Sequence, residues 1–381
     1  MRIAPTVTVL ALLAVAGCSS VNTDNSPKAV TSTPVAVSAH RVDQVRADID
    51  AIVRSGVPGV IATLTENGQT VTLTSGVADR ATAAPIPMSP PQEVRIGSIS
   101  KTFTASIIMQ LVTEGKIRLD EPIDTYLPGL LTGNGVDGKV ITVRQILQHR
   151  SGLPEFSNDP EADEYRAGVQ GRTLTPPQEI TLALRHPAQF SPGSQFKYTN
   201  TNFIVAGMLV EKVTGRTYSE ELSGRITTPN RLTGTYLPAT GDTDLRGPHP
   251  HGYGTINGVV TDETRSEPSI PWTAGALIST GSDLNRFYLA LLAGQIVAGP
   301  QLKEMLSSSV QMPDSPFYYG LGIGNTELSC GAQYFGHTGG IAGYVTITGG
   351  TREGRAVTIA MTSSPDPSPD SMALLSHALC P

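Results

Sequence analysis

The sequence predicts an α/β (α+β) fold: an antiparallel sheet flanked by helices and built from both ends of the chain, with an inserted, mainly helical lobe. Near the N-terminus, two runs with period-two alternation, 60–64 and 71–73, flank Glu66-Asn67-Gly68, which is a strong hairpin signal. Near the C-terminus the strand pattern returns three times, over 334–337, 344–348 and 356–361. We expect the strands from the two ends to share one sheet.

Helical periodicity occupies much of the remaining chain. Apolar residues at helical spacing predict a helix over 41–55, which Pro58-Gly59 bring to an end. Between 116 and 265, where Pro and Gly are frequent, we expect helices over 143–148, 178–184 and 203–213. We interpret 116–265 as a helical lobe inserted into one domain that covers 41–381. A further helical segment, 371–379, closes the chain.

The first forty residues differ from the rest. Arg2 and a ten-residue apolar run over 7–16 predict a signal peptide covering 1–17, because ten apolar residues are too few to span a bilayer. Val15-Ala16-Gly17-Cys18 resembles a bacterial lipobox, in which Cys18 would be lipidated; an ordinary cleaved signal with an incidental cysteine is the alternative. Residues 18–40 have the composition of a flexible tether. We therefore expect an exported protein, lipid-anchored to the outer face of the bacterial cell membrane.

Composition and cysteine usage exclude some classes of function. The formal net charge is −6 without a basic block, which argues against nucleic acid as a partner. Cys330 and Cys380 form an even pair in an oxidising compartment, so we expect a disulfide, with two free buried thiols as the alternative. His249-Pro250-His251 resembles a metal-binding pair, but no carboxylate or cysteine stands at ligand spacing, so neither a metal nor a cofactor is expected.

Ser98 is the candidate nucleophile. The run Ser98-Ile99-Ser100-Lys101 leads into a helix predicted over 102–115. Three residues apart, the Ser98 and Lys101 side chains share a face with about 5–6 Å between their Cβ atoms, so the amine can accept the hydroxyl proton. Lysine has a pKa near 10.4 in water, so burial or a nearby cation must lower the pKa of Lys101. Ser194 and Lys197 repeat the pattern, but they follow a turn and precede no helical period.

Three motifs occur in order along the chain: Ser98-Ile99-Ser100-Lys101, Tyr198-Thr199-Asn200 and His337-Thr338-Gly339. Together they resemble those of the serine β-lactamase and penicillin-binding protein superfamily, in which the third motif is usually Lys-Thr-Gly. The histidine form is similar to the class C-like branch, which holds secreted actinobacterial D-alanyl-D-alanine carboxypeptidases, β-lactamases and esterases. The likeness extends from about residue 41 to the end and includes the stretches Leu119-Asp120-Glu121-Pro122 and His149-Arg150-Ser151-Gly152-Leu153.

The resemblance implies a role for each motif residue. Ser98 would attack the carbonyl carbon and form an acyl-enzyme, with Lys101 as the proton acceptor. Tyr198, partly ionised beside cations, would shuttle the proton to the leaving group. Asn200 would hold Lys101 or the substrate amide. His337 would orient the Tyr198 hydroxyl or polarise the site.

The resemblance also implies a substrate-binding wall. The backbone N–H groups of Ser98 and Gly340 would form the oxyanion hole, and Thr338 would offer its hydroxyl to the substrate. Trp272 is a candidate wall of the cleft, with core packing as an equal alternative.

The expected activity is that of a D-alanyl-D-alanine carboxypeptidase acting on peptidoglycan stem peptides or on small ester, amide or β-lactam analogues. An esterase or β-lactamase is the first alternative, and a catalytically inert penicillin-binding or cell-wall-binding protein is the second. A carboxypeptidase needs a cation or several donors for the terminal carboxylate. The carboxypeptidases that the chain resembles carry basic residues just before the first late cysteine, but here that stretch, 322–327, contains none. We therefore expect weak discrimination between a free acid and its amide or ester, unless a cation comes from Arg144, Arg150 or Arg286.

Overall fold

The computed structural model describes residues 36–307 and 309–381. The predicted signal peptide, Cys18 and most of the predicted tether lie outside these residues. The first helix begins at Ala39, two residues before the predicted start of the folded domain. Within the described ranges, no helix combines the length and the apolar character that a membrane span requires.

In the described part of the chain, an antiparallel sheet of nine strands forms the centre. The strands in chain order are β1 (Gly59–Glu66), β2 (Gln69–Asp79), β3 (Ala84–Pro85), β4 (Glu93–Arg95), β5 (Thr132–Gly133), β6 (Val136–Asp137), β7 (Tyr253–Ile256), β8 (Val259–Asp262), β9 (Ile278–Thr280), β10 (Val310–Gln311), β11 (Tyr318–Tyr319), β12 (Gly324–Glu327), β13 (Gln333–Ile341), β14 (Tyr344–Thr351) and β15 (Arg355–Met361). The nine strands are arranged in the order β10-β11-β12-β13-β14-β15-β1-β2-β3.

The sheet joins the two ends of the chain as predicted. β15 pairs with β1 from Val60 opposite Met361 to Glu66 opposite Arg355. The turn between β1 and β2 consists of Asn67 and Gly68, with φ angles of 50° and 76°. Positive φ at both central residues is what a type I′ hairpin requires, and this explains the Asn-Gly pair. The predicted fold class is confirmed.

Helices cover both faces of the sheet, and each predicted helix is present. In chain order they are α1 (Ala39–Arg54), α2 (Ser100–Thr113), α3 (Val143–Leu147), α4 (Glu164–Gln170), α5 (Pro176–Ala183), α6 (Thr201–Thr214), α7 (Tyr218–Leu222), α8 (Trp272–Gly275), α9 (Gly281–Leu292), α10 (Gly299–Ser307) and α11 (Ser371–Leu379). A short 3-10 turn, Gly97–Ile99, leads into α2.

Each face of the sheet has its own apolar core, because successive residues of a strand point to opposite sides. Val60 packs with residues of α1 and α11, such as Ile49 and Leu375. Its neighbour Ile61 belongs to the second core, which also contains α2, α6 and α9. Every residue of α2 from Ser100 to Met109 is buried, so the helix that follows Ser98 is enclosed by protein.

Residues 116–265 contain α3 to α7, two short hairpins and long irregular connections. Their apolar side chains, such as Ile146, Ile180 and Leu209, share one core with α2. That this region forms a separate inserted lobe stays a prediction.

The predicted disulfide joins Cys330 to Cys380, with 5.9 Å between the Cα atoms. Cys330 follows β12 and Cys380 follows α11. The bridge therefore ties the end of α11 to the sheet.

Candidate active site

Ser98 lies in the 3-10 turn at the start of α2, and the predicted pairing with Lys101 is present. Lys101 Nζ is 2.9 Å from Ser98 Oγ. The Lys101 side chain is fully buried, whereas Ser98 is half-buried. The buried Lys101 amine therefore contacts a serine hydroxyl that a substrate can reach.

The surroundings of Lys101 suit a neutral amine. Besides Ser98 Oγ, Nζ contacts Asn200 Oδ1 at 2.7 Å and the Ala274 carbonyl oxygen at 2.7 Å. A neutral amine has two N–H donors for these two oxygens, which leaves its lone pair for the Ser98 hydroxyl proton. Burial lowers the pKa of Lys101 to about 7, although the charge of Glu155 partly opposes this shift. The amine is thus a usable base near neutral pH.

Tyr198 is a neutral phenol rather than a phenolate. Burial raises the pKa of its hydroxyl, and interaction with the Ser98 side chain offsets this only in part. The hydroxyl is buried and has no hydrogen bond of normal geometry within the described residues. Lys101 Nζ lies over the Tyr198 ring, 5.0 Å from its centroid. The expected partial ionisation of Tyr198 is therefore wrong for this state, and its role as a proton shuttle stays a prediction.

His337 does not orient Tyr198 in this structure. Its Nε2 atom is 3.0 Å from the Tyr319 hydroxyl, and its Nδ1 atom is 2.5 Å from the Thr338 carbonyl oxygen. The His337 and Tyr198 rings are 6.4 Å apart at their centroids. Burial lowers the pKa of His337 to about 4, so the ring is neutral at pH 7. The expectation that His337 orients the Tyr198 hydroxyl is therefore wrong for this structure, since His337 contacts the Tyr319 hydroxyl instead.

Glycines allow β13 to lie directly against the turn that carries Ser98. A Cβ atom on Gly339 would lie 2.0 Å from the Ile96 carbonyl oxygen, and one on Gly97 would lie 2.8 Å from the Gly340 carbonyl oxygen. Gly97 also has a φ angle of 51°, which strongly favours glycine. Only glycines permit this approach, which places the backbone of Gly340 beside the turn that holds Ser98.

A cavity of about 370 Å³ opens at Ser98, and we call it the chamber. Its lining is aromatic and aliphatic with a few polar groups: Ser98, Tyr198, Met312, Phe317, Tyr319, Gly324, Tyr334, Gly336, His337, Thr338, Gly340, Ser371 and Leu375. Thr338 and Gly340 are exposed in it. No Lys, Arg, Asp or Glu is among these described lining residues, so the chamber offers neither a cation for a carboxylate nor an anion for an amine.

Trp272 does not line the chamber. It lies on a separate cavity of about 460 Å³ together with Tyr236 and Arg246. Its ring meets Tyr218 edge-on, with 6.1 Å between the centroids. The expectation of a cleft wall is therefore replaced by the packing alternative, and α8 contributes to the site through the Ala274 carbonyl instead.

The three arginines considered as carboxylate ligands also lie outside the chamber lining. Arg144 forms ion pairs with Asp120 and Glu304. Arg150 donates to the Gly193 carbonyl oxygen, and Arg286 pairs with Asp283.

The remaining candidates from the sequence do not contribute to the site. Ser194 is exposed and donates to the Ser191 carbonyl oxygen at 2.7 Å. His251 pairs with Asp262 at 2.6 Å, and the described residues contain no cluster of three metal-ligating side chains.

The sequence did not single out Glu155, Tyr319 or His149 as residues next to the catalytic groups. The negative charge of Glu155 raises the pKa of Lys101, and Glu155 accepts a hydrogen bond from the Asn200 backbone N–H at 2.7 Å. Tyr319 lies on a two-residue strand that has no readable periodicity. His149 lies in a stretch that resembles the superfamily, and that resemblance could have identified it as a residue near the site.

Fold and site geometry are those of the β-lactamase type, whose members are serine hydrolases. The chain belongs to the Beta-lactamase family, whose family model matches residues 42–379. The predicted membership of the β-lactamase and penicillin-binding protein superfamily is confirmed.

Two solved structures resemble this chain over most of its length. A D-stereospecific amidohydrolase from Streptomyces sp. is 36% identical with a TM-score of 0.81, covering 89% of this chain and 98% of that one. A D-amino acid amidase from Ochrobactrum anthropi, solved with L-phenylalanine amide, is 28% identical with a TM-score of 0.74, covering 89% and 94%.

Sequence relatives include penicillin-binding protein 4 of Amycolatopsis lactamdurans, 27% identical over 45% of this chain and 43% of that protein. Protein flp of Staphylococcus aureus is 24% identical over 48% of this chain and 36% of that protein. The matches thus span less than half the length of these relatives.

Proposed function

We propose that this chain is a serine amidohydrolase that forms an acyl-enzyme on Ser98 and cleaves amides or esters of small, D-configured acyl groups with apolar substituents. The observation that carries the proposal is the buried Lys101 amine, 2.9 Å from Ser98 Oγ, at the mouth of a chamber without charged walls. The D-configuration is drawn from the two similar structures, whose names describe D-specific amide hydrolysis.

The reaction follows from the positions of the polar groups. Ser98 Oγ attacks the carbonyl carbon while its proton passes to the Lys101 lone pair. The developing oxyanion would accept hydrogen bonds from the backbone N–H groups of Ser98 and Gly340. When the carbon–nitrogen bond breaks, the leaving amine takes the proton from Lys101, and we propose that the neutral Tyr198 phenol passes it on. Water then cleaves the acyl–oxygen bond by the same steps in reverse, and Ser98 recovers its proton.

The chamber argues for an apolar substituent beside the reacting carbonyl. Met312, Phe317 and Leu375 would contribute to the transfer of such a group from water at about 25 cal/mol per Å² of buried apolar surface. A terminal carboxylate would lose its hydration there without gaining a charged partner. The chamber therefore favours amide and ester substrates over peptides with a free C-terminus.

A D-alanyl-D-alanine carboxypeptidase remains the second candidate, because the chain is similar to penicillin-binding protein 4. The absence of a cation among the described chamber residues counts against it. An esterase or β-lactamase would use the same acylation step and differ in the rate of deacylation.

The test compares kcat/KM for the uncharged N-acetyl-D- and N-acetyl-L-phenylalanine amides and for a peptide ending in D-Ala-D-Ala with its C-terminal amide. We expect kcat/KM for the D-amide to exceed that for the L-amide by at least about tenfold. For the peptide we expect similar kcat/KM values for the free acid and its amide. A preference for the acid above about a hundredfold would establish the carboxypeptidase instead. Rapid turnover of a fluorescent penicillin would indicate a β-lactamase, and no turnover or labelling of folded protein would indicate an inert binding protein.

We also propose that the protein is exported and anchored through lipidated Cys18. The apolar run over 7–16 and the Cys330–Cys380 disulfide support this proposal. We expect Cys18→Ser to leave the membrane fraction with activity retained, whereas Ser19→Ala stays membrane-bound. Membrane retention of Cys18→Ser would contradict lipid anchoring at this residue.

A further inference from the structure

Three buried side chains form a row beside the catalytic residues. His149 Nε2 is 3.3 Å from the Tyr319 hydroxyl oxygen, and that oxygen is 3.0 Å from His337 Nε2. His149 follows α3, Tyr319 lies on β11 and His337 lies on β13. All three are almost completely shielded from solvent. The row therefore connects three separate parts of the chain through two hydrogen bonds.

The donors around His149 determine which of its nitrogens carries the proton. His149 Nδ1 is 3.2 Å from the Thr199 backbone nitrogen and 3.1 Å from Asn202 Nδ2, and both are donors. The Thr199 backbone N–H can only donate, and the Asn202 amide agrees with it, since Asn202 Oδ1 lies 2.6 Å from the Ser151 hydroxyl. Nδ1 must then be the acceptor, so the proton of the neutral imidazole lies on Nε2. His149 Nε2–H donates to the Tyr319 oxygen.

The same reasoning gives the donor in the hydrogen bond between Tyr319 and His337. Among the described residues the Tyr319 hydroxyl contacts His149 and His337, and because it accepts from His149 Nε2–H, its own proton is paired only if Tyr319 O–H donates to His337 Nε2. The remaining proton of neutral His337 lies on Nδ1 and points to the Thr338 carbonyl oxygen. Burial lowers the pKa of both histidines, which agrees with two neutral rings.

One end of this row contacts Tyr198, and the other contacts the part of β13 that lies against the Ser98 turn. The His149 ring stacks on the Tyr198 ring with 4.1 Å between centroids. At the other end, Thr338 immediately precedes the Gly339-Gly340 backbone that lies against the Ser98 turn. A change in the row would therefore alter the separation between the Tyr198 phenol and the Gly340 backbone.

We infer that Tyr319 and His149 are positioning residues: they form a one-directional hydrogen-bond relay that holds His337 as the neutral Nδ1–H tautomer and sets the distance between Tyr198 and β13. The relay rests on the proposed function only in requiring that Ser98 be acylated. It also requires a hydrogen-bond acceptor at position 337. Lysine, the usual residue of the third motif, would place a second donor against Tyr319 and leave the phenol proton without a partner.

The first test reads the tautomers directly. Long-range ¹H–¹⁵N NMR of the ¹⁵N-histidine-labelled full chain should show His149 as the Nε2–H form and His337 as the Nδ1–H form at pH 7. Tyr319→Phe should shift the His337 Nε2 resonance toward that of an unbonded nitrogen. Tyr318→Phe is the matched control, since Tyr318 precedes it on β11 and is 42% exposed. An Nε2–H tautomer or an imidazolium at His337 would overturn the relay.

The second test measures acylation of Ser98 by a fluorescent penicillin, or by a fluorophosphonate if the penicillin does not react. We expect Tyr319→Phe to lower the acylation rate constant at least about tenfold and Tyr318→Phe to change it less than about twofold. His337→Gln, whose side-chain oxygen can accept from Tyr319, should acylate at least about tenfold faster than His337→Lys. Equal rates in the Gln and Lys variants, or a wild-type rate in Tyr319→Phe, would refute the proposal. Thermal unfolding of each variant separates these effects from misfolding.

The two proposals fail in different ways. If D-amides are not turned over but the tautomers are as stated, the proposed function is wrong and the relay stands. If D-amides are turned over but His337 has the other tautomer, the relay is wrong and the proposed function stands.

Discussion

The pKa of Lys101 makes a quantitative prediction about the pH dependence of acylation. Burial lowers this pKa to about 7, and the neutral amine is the form that accepts the Ser98 proton. With that pKa, the neutral fraction is about one tenth at pH 6, one half at pH 7 and nine tenths at pH 8. The acylation rate constant should therefore rise about tenfold between pH 6 and pH 8 and then level off.

A single substitution tests the electrostatic part of this reasoning. The charge of Glu155 raises the pKa of Lys101, so Glu155→Gln should lower that pKa further and move the midpoint of the profile to lower pH. The glutamine keeps an oxygen for the Asn200 backbone N–H that Glu155 now accepts at 2.7 Å. Glu161→Gln, an exposed carboxylate nearby in sequence, should leave the midpoint unchanged.

The assay is single-turnover acylation by a chromogenic ester, followed by stopped flow across roughly pH 5 to 9. Ester substrates remove leaving-group protonation from the rate, so the profile reports Lys101. A rate constant that keeps rising through pH 9 without levelling off, as expected for the lysine pKa in water of about 10.4, would refute the role of burial. A midpoint that moves upward in Glu155→Gln would refute the role of the carboxylate.

Four further outcomes are expected. Ser98→Ala should abolish covalent labelling by a fluorescent penicillin, while Ser194→Ala should label normally, because the latter serine has no buried amine against it. Gly339→Ala should destabilise the fold by about 1–3 kcal/mol and slow acylation, since its Cβ would lie 2.0 Å from a backbone oxygen. Met312→Arg should raise the preference for a free acid over its amide by about tenfold or more, by placing a cation at a half-buried position of the chamber. Cys380→Ser should lower the free energy of unfolding by about 4 kcal/mol, because the bridge closes a loop with a sequence separation of 50.

Controls make these outcomes decisive. Gly224→Ala, where a Cβ meets no atom within 4 Å, should leave stability unchanged, and a similar loss in both variants would contradict the crowding argument. Met312→Leu keeps the chamber apolar and should not change the acid-to-amide ratio. Denaturant unfolding of wild-type protein under reducing conditions should reproduce the Cys380→Ser result, and a difference would point to an effect of the serine itself.

Local patterns determined the regular elements that the sequence predicted correctly. Asn67-Gly68 specified the first hairpin, because positive φ at both residues is a property of those residues themselves. The Ser98–Lys101 pairing was also readable, since helical geometry places residues three apart on one face whatever surrounds them. The two late cysteines were paired correctly because Cys18, the third cysteine, was assigned to the lipobox, which left one bridge between Cys330 and Cys380.

The chemistry of the site was decided by tertiary structure. The depressed pKa of Lys101 depends on enclosure of α2 and on oxygens from Asn200 and Ala274, which are about a hundred residues or more away in sequence. Tyr319 could not be singled out, because a two-residue strand has no periodicity that shows which way its side chains point. Trp272 was equally ambiguous: its sequence neighbours do not reveal which of two cavities its ring faces. Periodicity identifies the buried face of an element, but the partner that covers that face is chosen by packing across the whole chain, and the pKa values and tautomers follow from that partner.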